Sequence, residues 1–110
     1  MTIETSAYFD KQLKKLTKKY RSIPMDYSNL LDELMENPTK GIEIRNGAFK
    51  IEMAIASKKT GKSGGSRVIT YYRDEFDTLY LLDIYDKSEK ENISDKDLDY
   101  FIEEINKIGK

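Results

Sequence analysis

Chemistry in this chain is restricted to lysine, arginine, tyrosine and carboxylate side chains. The 110 residues include no histidine and no cysteine, which removes the commonest acid–base group and nearly all zinc ligand sets. The densest cationic stretch runs from Lys58 to Arg73, with five basic residues and no acidic one. Such a stretch suits a polyanion, for example a phosphate backbone. The alternative interpretation is an ordinary solvated surface loop.

A β-hairpin must position these basic residues. Residues 49–56 alternate between apolar and mostly polar or small side chains, which is typical of a half-buried strand. Residues 67–73 are largely β-branched and aromatic, as strands prefer. The intervening loop is rich in glycine, which favours tight turns. Three lysines are therefore predicted to stand on a flexible tip: Lys58, Lys59 and Lys62.

The hairpin also groups residues that meet the needs of phosphodiester cleavage. Alternation places Lys50 and Glu52 on the face opposite Phe49 and Ile51, and Arg67 shares that face if the register allows. Cleavage through a ribose 2′-hydroxyl needs a base, cations for the charge on the phosphoryl oxygens, and a proton for the leaving oxygen. Lys50, Glu52 and Arg67 are therefore candidate catalytic residues.

A further strand is predicted beside this hairpin. Residues 78–85 are apolar on both faces, which indicates a central strand. Counting by twos, Asp83, Tyr85 and Lys87 share a side, and we assign that side to the open face of the sheet. Tyr85 is a candidate base-stacking ring or acid, or a rim tyrosine without chemistry. Lys87 is a candidate contact to an RNA backbone.

Helices are predicted on either side of these strands. Apolar residues at helical spacing indicate helices over 9–20 and 22–37. Ser6 is a candidate N-cap of the first helix. A last helix is predicted from an N-cap at Ser94 to a stop at Gly109.

Together these elements predict one α+β domain over residues 1–110. Two N-terminal helices pack on a mostly antiparallel sheet of three to five strands, and a C-terminal helix closes the fold. Two of the strands are the short segments 2–5 and 41–45. Asn46–Gly47 is the best hairpin-turn dipeptide in the chain.

The net charge of −1 conceals a strong asymmetry along the chain. Residues 10–73 hold 14 basic and 7 acidic residues, whereas residues 74–104 hold 3 basic and 12 acidic ones. This division suggests one face for a polyanion and another that a polyanion avoids. The alternative, that the two segments neutralise each other across the fold, stays open.

Several classes of protein and ligand are not expected. Without cysteine there is no disulfide framework, which is compatible with a reducing compartment. No apolar run approaches about 18 residues, so we expect a soluble, cytoplasmic protein without membrane contact. Residues 56–63, ASKKTGKS, fit a relaxed phosphate-binding-loop pattern, but a β-branched run follows instead of a helix. We therefore expect no nucleotide, no other cofactor and no metal.

Much of the chain resembles the RelE toxin family, in its HigB-type branch. The segments that carry the resemblance are Lys50–Ile51, Ser57–Lys58, Gly61–Gly65, Arg67–Ile69 and Tyr80–Glu89, with the helix pattern over Phe9–Tyr20 and the turn Asn37–Gly41. The resemblance implies a RelE-like fold and a ribosome-dependent endoribonuclease that cuts mRNA. It also implies a cognate antitoxin encoded beside it, which we expect to be a helix-turn-helix protein.

The resemblance also bears on the site residues. Lys50 and Arg67 match family positions that contact the scissile phosphate, so both are expected to be catalytic, with Glu52, Tyr85 and Lys87 beside them. The residues expected to bind RNA without taking part in cleavage are Lys58, Lys59, Lys62 and Arg73.

Two departures from the family pattern leave alternatives open. The family carries a basic residue where this chain has Glu52, and Ser88 is uncharged where relatives carry a further basic residue. A second hypothesis is therefore a RelE-fold module that no longer cleaves and binds only antitoxin or RNA. A third is a gyrase inhibitor like the ParE branch, which the dense basic tip disfavours.

Overall fold

Five strands form one sheet in the described part of the chain, and α-helices cover both of its faces. The computed structural model describes residues 1–90 and 92–108, without the side chains of Lys62 and Ile108. The helices are α1 (Ala7–Lys19), α2 (Ile23–Glu36) and α3 (Asp95–Ile108). The strands are β1 (Thr2–Thr5), β2 (Ile42–Arg45), β3 (Ala48–Met53), β4 (Ser66–Arg73) and β5 (Thr78–Asp86).

The strand order is β1-β5-β4-β3-β2, with β1 parallel to β5 and the other neighbours antiparallel. The predicted α+β class, the central position of β5 and the two short edge strands are confirmed. Because β3, β4 and β5 are antiparallel neighbours, the end of β3, the start of β4 and the end of β5 lie side by side. The predicted site residues Lys50, Glu52, Arg67, Tyr85 and Lys87 converge towards this end of the sheet.

The two faces of the sheet bury separate hydrophobic clusters. On the α1/α2 face, Phe9 and Ile51 belong to a core contributed by α1, α2 and the strands. On the α3 face, Leu98 of α3 packs with Ile69 and Tyr85. Each predicted apolar stripe is thus buried against one side of the sheet, as amphipathic helices require.

Local sequence signals set where the helices begin. The Ser6 Oγ accepts a hydrogen bond of 2.9 Å from the Phe9 backbone N–H, which caps α1. The Ser94 Oγ accepts one of 3.1 Å from the Asp97 backbone N–H, which caps α3. Both predicted caps are confirmed, whereas the predicted stop at Gly109 lies outside the described residues. Within the described ranges, no helix has the length and apolarity that crossing a membrane requires.

A bulge in β5 shifts its alternation. Ile69 of β4 pairs with Asp83, but the next residue, Thr70, pairs with Leu81, so Leu82 is the extra residue. As a result Leu81 reaches the α1/α2 core, and both Leu82 and Tyr85 join the cluster under α3.

The side of β5 that carries Asp83 and Tyr85 is covered, which corrects the prediction of an open face. Asp83 is 1% exposed and Tyr85 is 4% exposed, because α3 packs across them through Leu98. The prediction of an open face was based on Asp83, because an isolated polar residue in an apolar strand is expected to face solvent. Asp83 instead accepts a hydrogen bond of 3.0 Å from the Lys90 ammonium.

The glycine-rich segment between β3 and β4 is structured and tied to α2. β3 ends at Met53, three residues earlier than predicted, and short 3-10 turns follow at residues 56–58 and 62–64. The Asp26 carboxylate accepts a hydrogen bond of 3.1 Å from the Ala56 backbone N–H. The Ser22 Oγ accepts one of 2.9 Å from the Ser57 backbone N–H. The predicted flexible tip is therefore a loop with fixed attachments, and we call residues 54–65 the tip loop.

Candidate functional site

A cleft of about 390 Å³ lies between the tip loop and the turn that follows β5. The pairing of Ser66 with Asp86 brings the start of β4 against the end of β5, and this contact places the two walls of the cleft together. We call it the cationic cleft. Its lining residues are Ser63, Arg67, Lys87, Ser88, Glu89 and Lys90.

Glu52 lies beside the two principal cations of this cleft. It pairs directly with Arg67 in the β3–β4 ladder, and its Oε1 is 3.7 Å from the Arg67 guanidinium. The same oxygen accepts a hydrogen bond of 2.5 Å from the Lys87 ammonium. This hydrogen bond is the main reason that the pKa of Glu52 lies below its usual range, with smaller contributions from the charges of Arg67 and Lys50. Glu52 is thus an ionised carboxylate that balances charge in the cleft.

The cations of the cleft are held largely out of solvent. The side chains of Arg67 and Lys87 are 15% and 13% exposed, whereas Glu52 is 42% exposed. The Arg67 Nη1 also donates a hydrogen bond of 2.9 Å to the side chain of Asn92. Cations fixed in this way need little rearrangement when an anion arrives, which strengthens their interaction with it.

Lys50 lies next to the cationic cleft in a separate hollow. Its pairing with Ile69 places it two residues from Glu52 on the same face of β3. It lines a hollow of about 220 Å³ together with Asn92 and the N-terminal end of α3. The predicted grouping of Lys50, Glu52, Arg67 and Lys87 at one end of the sheet is therefore present in the structure.

Tyr85 is buried, whereas its predicted role needs an accessible ring. It is opposite Arg67 in the β4–β5 ladder, yet its ring is buried under α3 and under Lys90, whose ammonium is 4.5 Å from the ring centroid. Burial raises the pKa of Tyr85, while the charge of Arg67 acts in the opposite direction. The ring is therefore not accessible for stacking on a base, and the hydroxyl stays protonated at neutral pH.

The predicted RNA-binding residues do not form one group. Lys58 makes an ion pair of 3.1 Å with Asp86 and its side chain is 17% exposed, so its charge is used within the protein. Lys59 is exposed on the tip loop with φ +60°. The side chain of Lys62 lies outside the described residues.

Arg73 is remote from the cationic cleft. It ends β4 and pairs with Glu75 at 3.3 Å, while its guanidinium lies over the ring of Phe76 at 4.5 Å. It is six positions along an extended strand from Arg67, a distance of roughly 20 Å. The structure therefore gives no support to an RNA contact by Arg73 at the same site.

Several residues of the site were missed by the sequence reasoning. Lys90 lines the cleft, Asn92 binds Arg67, and Asp86 is a buried acceptor at the end of β5. The signal for Lys90 was its spacing of three residues from Lys87, which in a β-turn brings the two Cα atoms within about 7 Å. Asn92 binds a residue 25 positions away, for which no local pattern exists. Asp86 also accepts hydrogen bonds from Ser88, two residues on, so a local Asp-x-Ser turn pattern was its signal.

The described residues contain no group of three or more carboxylates, histidines or cysteines placed to hold a metal ion. The groups that can act on a ligand in the described cleft are therefore ammonium, guanidinium, carboxylate and hydroxyl groups. Such a set recognises an anion by charge and hydrogen bonding.

Fold and site define a small α+β protein with a cationic cleft at one end of a five-stranded sheet. Comparison with known families is more specific, because the family described as the RelE toxin of the RelE / RelB toxin-antitoxin system matches residues 6–108. The chain belongs to the RelE toxin family, which confirms the resemblance drawn from its sequence. The assignment to a HigB-type branch stays a prediction.

Two solved structures of E. coli RelE share this fold. A mutant of the E. coli toxin RelE in its free state aligns with a TM-score of 0.59 and 17% identity, covering 82% of this chain and 86% of that one. The isolated E. coli RelE toxin aligns with a TM-score of 0.60 and 15% identity, covering 97% of both chains. At this identity the similarity establishes the fold, and the roles of individual residues must come from the geometry of this chain.

Proposed function

We propose that this chain is the toxin of a type II toxin–antitoxin system and that it cleaves mRNA bound to the ribosome. The observation that carries the proposal is the cationic cleft, in which Arg67, Lys87 and Lys90 surround a space large enough for a phosphate group. Membership of the RelE family supports the toxin role and the existence of an antitoxin partner. The ribosome, mRNA, a helix-turn-helix antitoxin and a cytoplasmic location are parts of the proposal.

In the proposed reaction the scissile phosphate enters the cleft and takes the place of Glu52 as the partner of Lys87. The 2′-hydroxyl gives its proton to Glu52 or to solvent water as its oxygen attacks the phosphorus, a 2′,3′-cyclic phosphate forms, and the bond to the 5′-oxygen breaks. Arg67 and Lys87 stabilise the charge on the phosphoryl oxygens, an effect that is large for preorganised donors shielded from water. The leaving oxygen takes its proton from an ammonium group of the cleft.

Glu52 has two contrasting roles in this scheme. As a general base it accepts the 2′-hydroxyl proton, which the absence of histidine leaves to another group. As a competing anion it occupies Lys87 and lowers the activity. We favour the second role, because Glu52 contacts Lys87 at 2.5 Å. The same contact supports the alternative function, a module that binds antitoxin or RNA without cleaving.

Primer extension on mRNA in a purified translation system tests the proposal. We expect the protein to produce new 5′ ends in translated mRNA and none in the same mRNA without ribosomes. A protein that binds translating ribosomes but leaves the mRNA intact would support the binding module instead. Inhibition of DNA supercoiling by gyrase, with mRNA intact, would support the gyrase inhibitor.

A further inference from the structure

Asp86 is a completely buried carboxylate where three segments of the chain meet. Its side chain is 0% exposed, although a carboxylate is rarely buried without several partners. It accepts hydrogen bonds of 2.6 Å from the Tyr20 hydroxyl, at the end of α1, and of 3.1 Å from the Lys58 ammonium, in the tip loop. It also accepts bonds of 2.9 and 2.8 Å from the backbone N–H and the hydroxyl of Ser88.

These hydrogen bonds connect the two walls of the cationic cleft to each other. Lys58 belongs to the tip loop, which supplies Ser63 to one wall, and Ser88 belongs to the turn that supplies Lys87 and Lys90 to the other. The turn itself is formed locally, since the backbone N–H groups of Glu89 and Lys90 both donate to the Asp86 carbonyl oxygen. The carboxylate then joins this turn to the loop and to α1.

The charge of Asp86 is strongly stabilised in this position. Burial alone would raise its pKa, but the hydrogen bonds from Tyr20, Ser88 and Lys58 outweigh burial and hold the pKa well below its usual range. An ionised acceptor at the centre of such a network forms stronger hydrogen bonds than a neutral one. Replacing it by a neutral group therefore weakens every attachment at once.

We propose that Asp86 is a positioning residue that sets the separation of the tip loop and the Lys87–Lys90 turn, and so shapes the cationic cleft for a phosphate. The inference rests on the proposed function for its ligand, although the attachment itself does not. It also assigns Lys58 to the internal network, where its ammonium holds the loop and does not contact RNA.

The test compares Asp86→Asn, Lys58→Met and the double variant with wild type, with Asp32→Asn as the matched control. Asp32 is an exposed carboxylate on α2, so its substitution changes the net charge equally. The probe is a fluorescent single-stranded RNA oligonucleotide titrated at several salt concentrations. Hydrogen exchange of the backbone amides at residues 56–60 measures the local opening of the tip loop and needs no RNA.

We expect Asp86→Asn to weaken RNA binding about tenfold and to speed loop exchange by a similar factor. Lys58→Met alone should give a loss no larger than this, and the double variant should lose no more than Asp86→Asn, because Lys58 acts through its bond to Asp86. The dependence of affinity on salt should become shallower, since cations move away from the phosphates. The Asp32→Asn control should match wild type in each measurement.

Other results would overturn the proposed role of Asp86 or would require different variants. Losses that add in the double variant would overturn the inference, because Lys58 would then contact RNA itself. Loop exchange and affinity equal to wild type in Asp86→Asn would overturn it as well. If Asp86→Asn unfolds, Tyr20→Phe and Ser88→Ala each remove one hydrogen bond to the same carboxylate, and both must speed loop exchange. If wild type does not bind RNA, the proposed function fails, whereas the loop exchange still decides the inference.

Discussion

At the scale of single residues, Glu52 sets the charge that the cationic cleft presents. It is ionised, it touches Lys87 at 2.5 Å, and it stands directly opposite Arg67 in the hairpin. A competing anion and a general base both fit this position. The two roles differ in what happens when the carboxylate is replaced.

The first prediction is that Glu52→Arg cleaves ribosome-bound mRNA faster than wild type, by about tenfold, which corresponds to about 1.4 kcal/mol of barrier. Glu52→Gln should also cleave faster than wild type, though by a smaller factor, because it releases Lys87 without adding a cation. Glu4→Gln, an exposed substitution on β1, serves as the control and should leave the rate unchanged. If both variants at Glu52 cleave more slowly than wild type, the carboxylate is the base.

The second prediction concerns the pH dependence of stability through Asp86. Its folded pKa is depressed, so the stabilisation is present in full above the pKa of the unfolded chain, about 4. It is lost as the pH falls below that value towards the folded pKa. Urea unfolding at pH 7 and at pH 3 should show that the free energy of unfolding falls more for wild type than for Asp86→Asn. Equal losses in the two proteins would contradict the assigned network.

At the scale of elements, the tip loop depends on glycines that sequence alone does not distinguish. A Cβ at Gly65 would lie 2.4 Å from the Met53 carbonyl oxygen and 2.9 Å from the Ala54 Cα, both of them backbone atoms. A Cβ at Gly61 would have no neighbour within 4 Å, although φ there is +66°. One glycine is needed for space and the other only for its backbone conformation.

The third prediction is therefore that Gly65→Ala lowers the free energy of unfolding by about 3 kcal/mol, the upper part of the range for overpacking. Gly61→Ala should cost about 1 kcal/mol, the penalty of a left-handed conformation. Chemical denaturation of both variants measures the difference. Equal costs would show that the backbone around Gly65 yields readily to a side chain.

The hairpin was predictable from sequence because its signals are local. Alternation in β3 predicted that Lys50 and Glu52 share a face. Arg67 was placed with them on the condition that the register allows it, and the pairing of Glu52 with Arg67 satisfies that condition. The cover over β5 was not predictable, because parity shows which residues share a side and not which helix packs there. The burial of Tyr85 arises from packing against α3, a contact between distant parts of the chain.

At the scale of the whole molecule, part of the charge asymmetry is neutralised internally. Arg45 of β2 forms ion pairs with Asp95 and Asp99 of α3, and Lys19 of α1 pairs with Glu89. These contacts support the interpretation that the two charged segments neutralise each other. The remaining lysines of α1 stay exposed: Lys11, Lys14, Lys15 and Lys18. A cationic surface therefore persists beyond the cleft.

The fourth prediction is that RNA binding weakens steeply with salt, because each cation that neutralises a phosphate releases a counterion. Lys87→Ala should reduce the slope of log Kd against log salt by about 0.7, the value for one contact to a single strand. Lys107→Ala, on the exposed side of α3, should leave the slope unchanged. An affinity for RNA that does not depend on salt would contradict contacts between these cations and phosphates.

Cleavage of ribosome-bound mRNA by wild type, Arg67→Ala and Arg73→Ala tests whether the cationic cleft is the active site. Both arginines belong to β4 and are partly shielded from solvent, but only Arg67 lines the cleft. We predict that Arg67→Ala lowers the rate by at least about 100-fold, as loss of a preorganised donor does, while Arg73→Ala cleaves like wild type and both variants remain folded. Wild-type cleavage by Arg67→Ala, or an equal loss in Arg73→Ala, would contradict the assignment of the cleft as the active site.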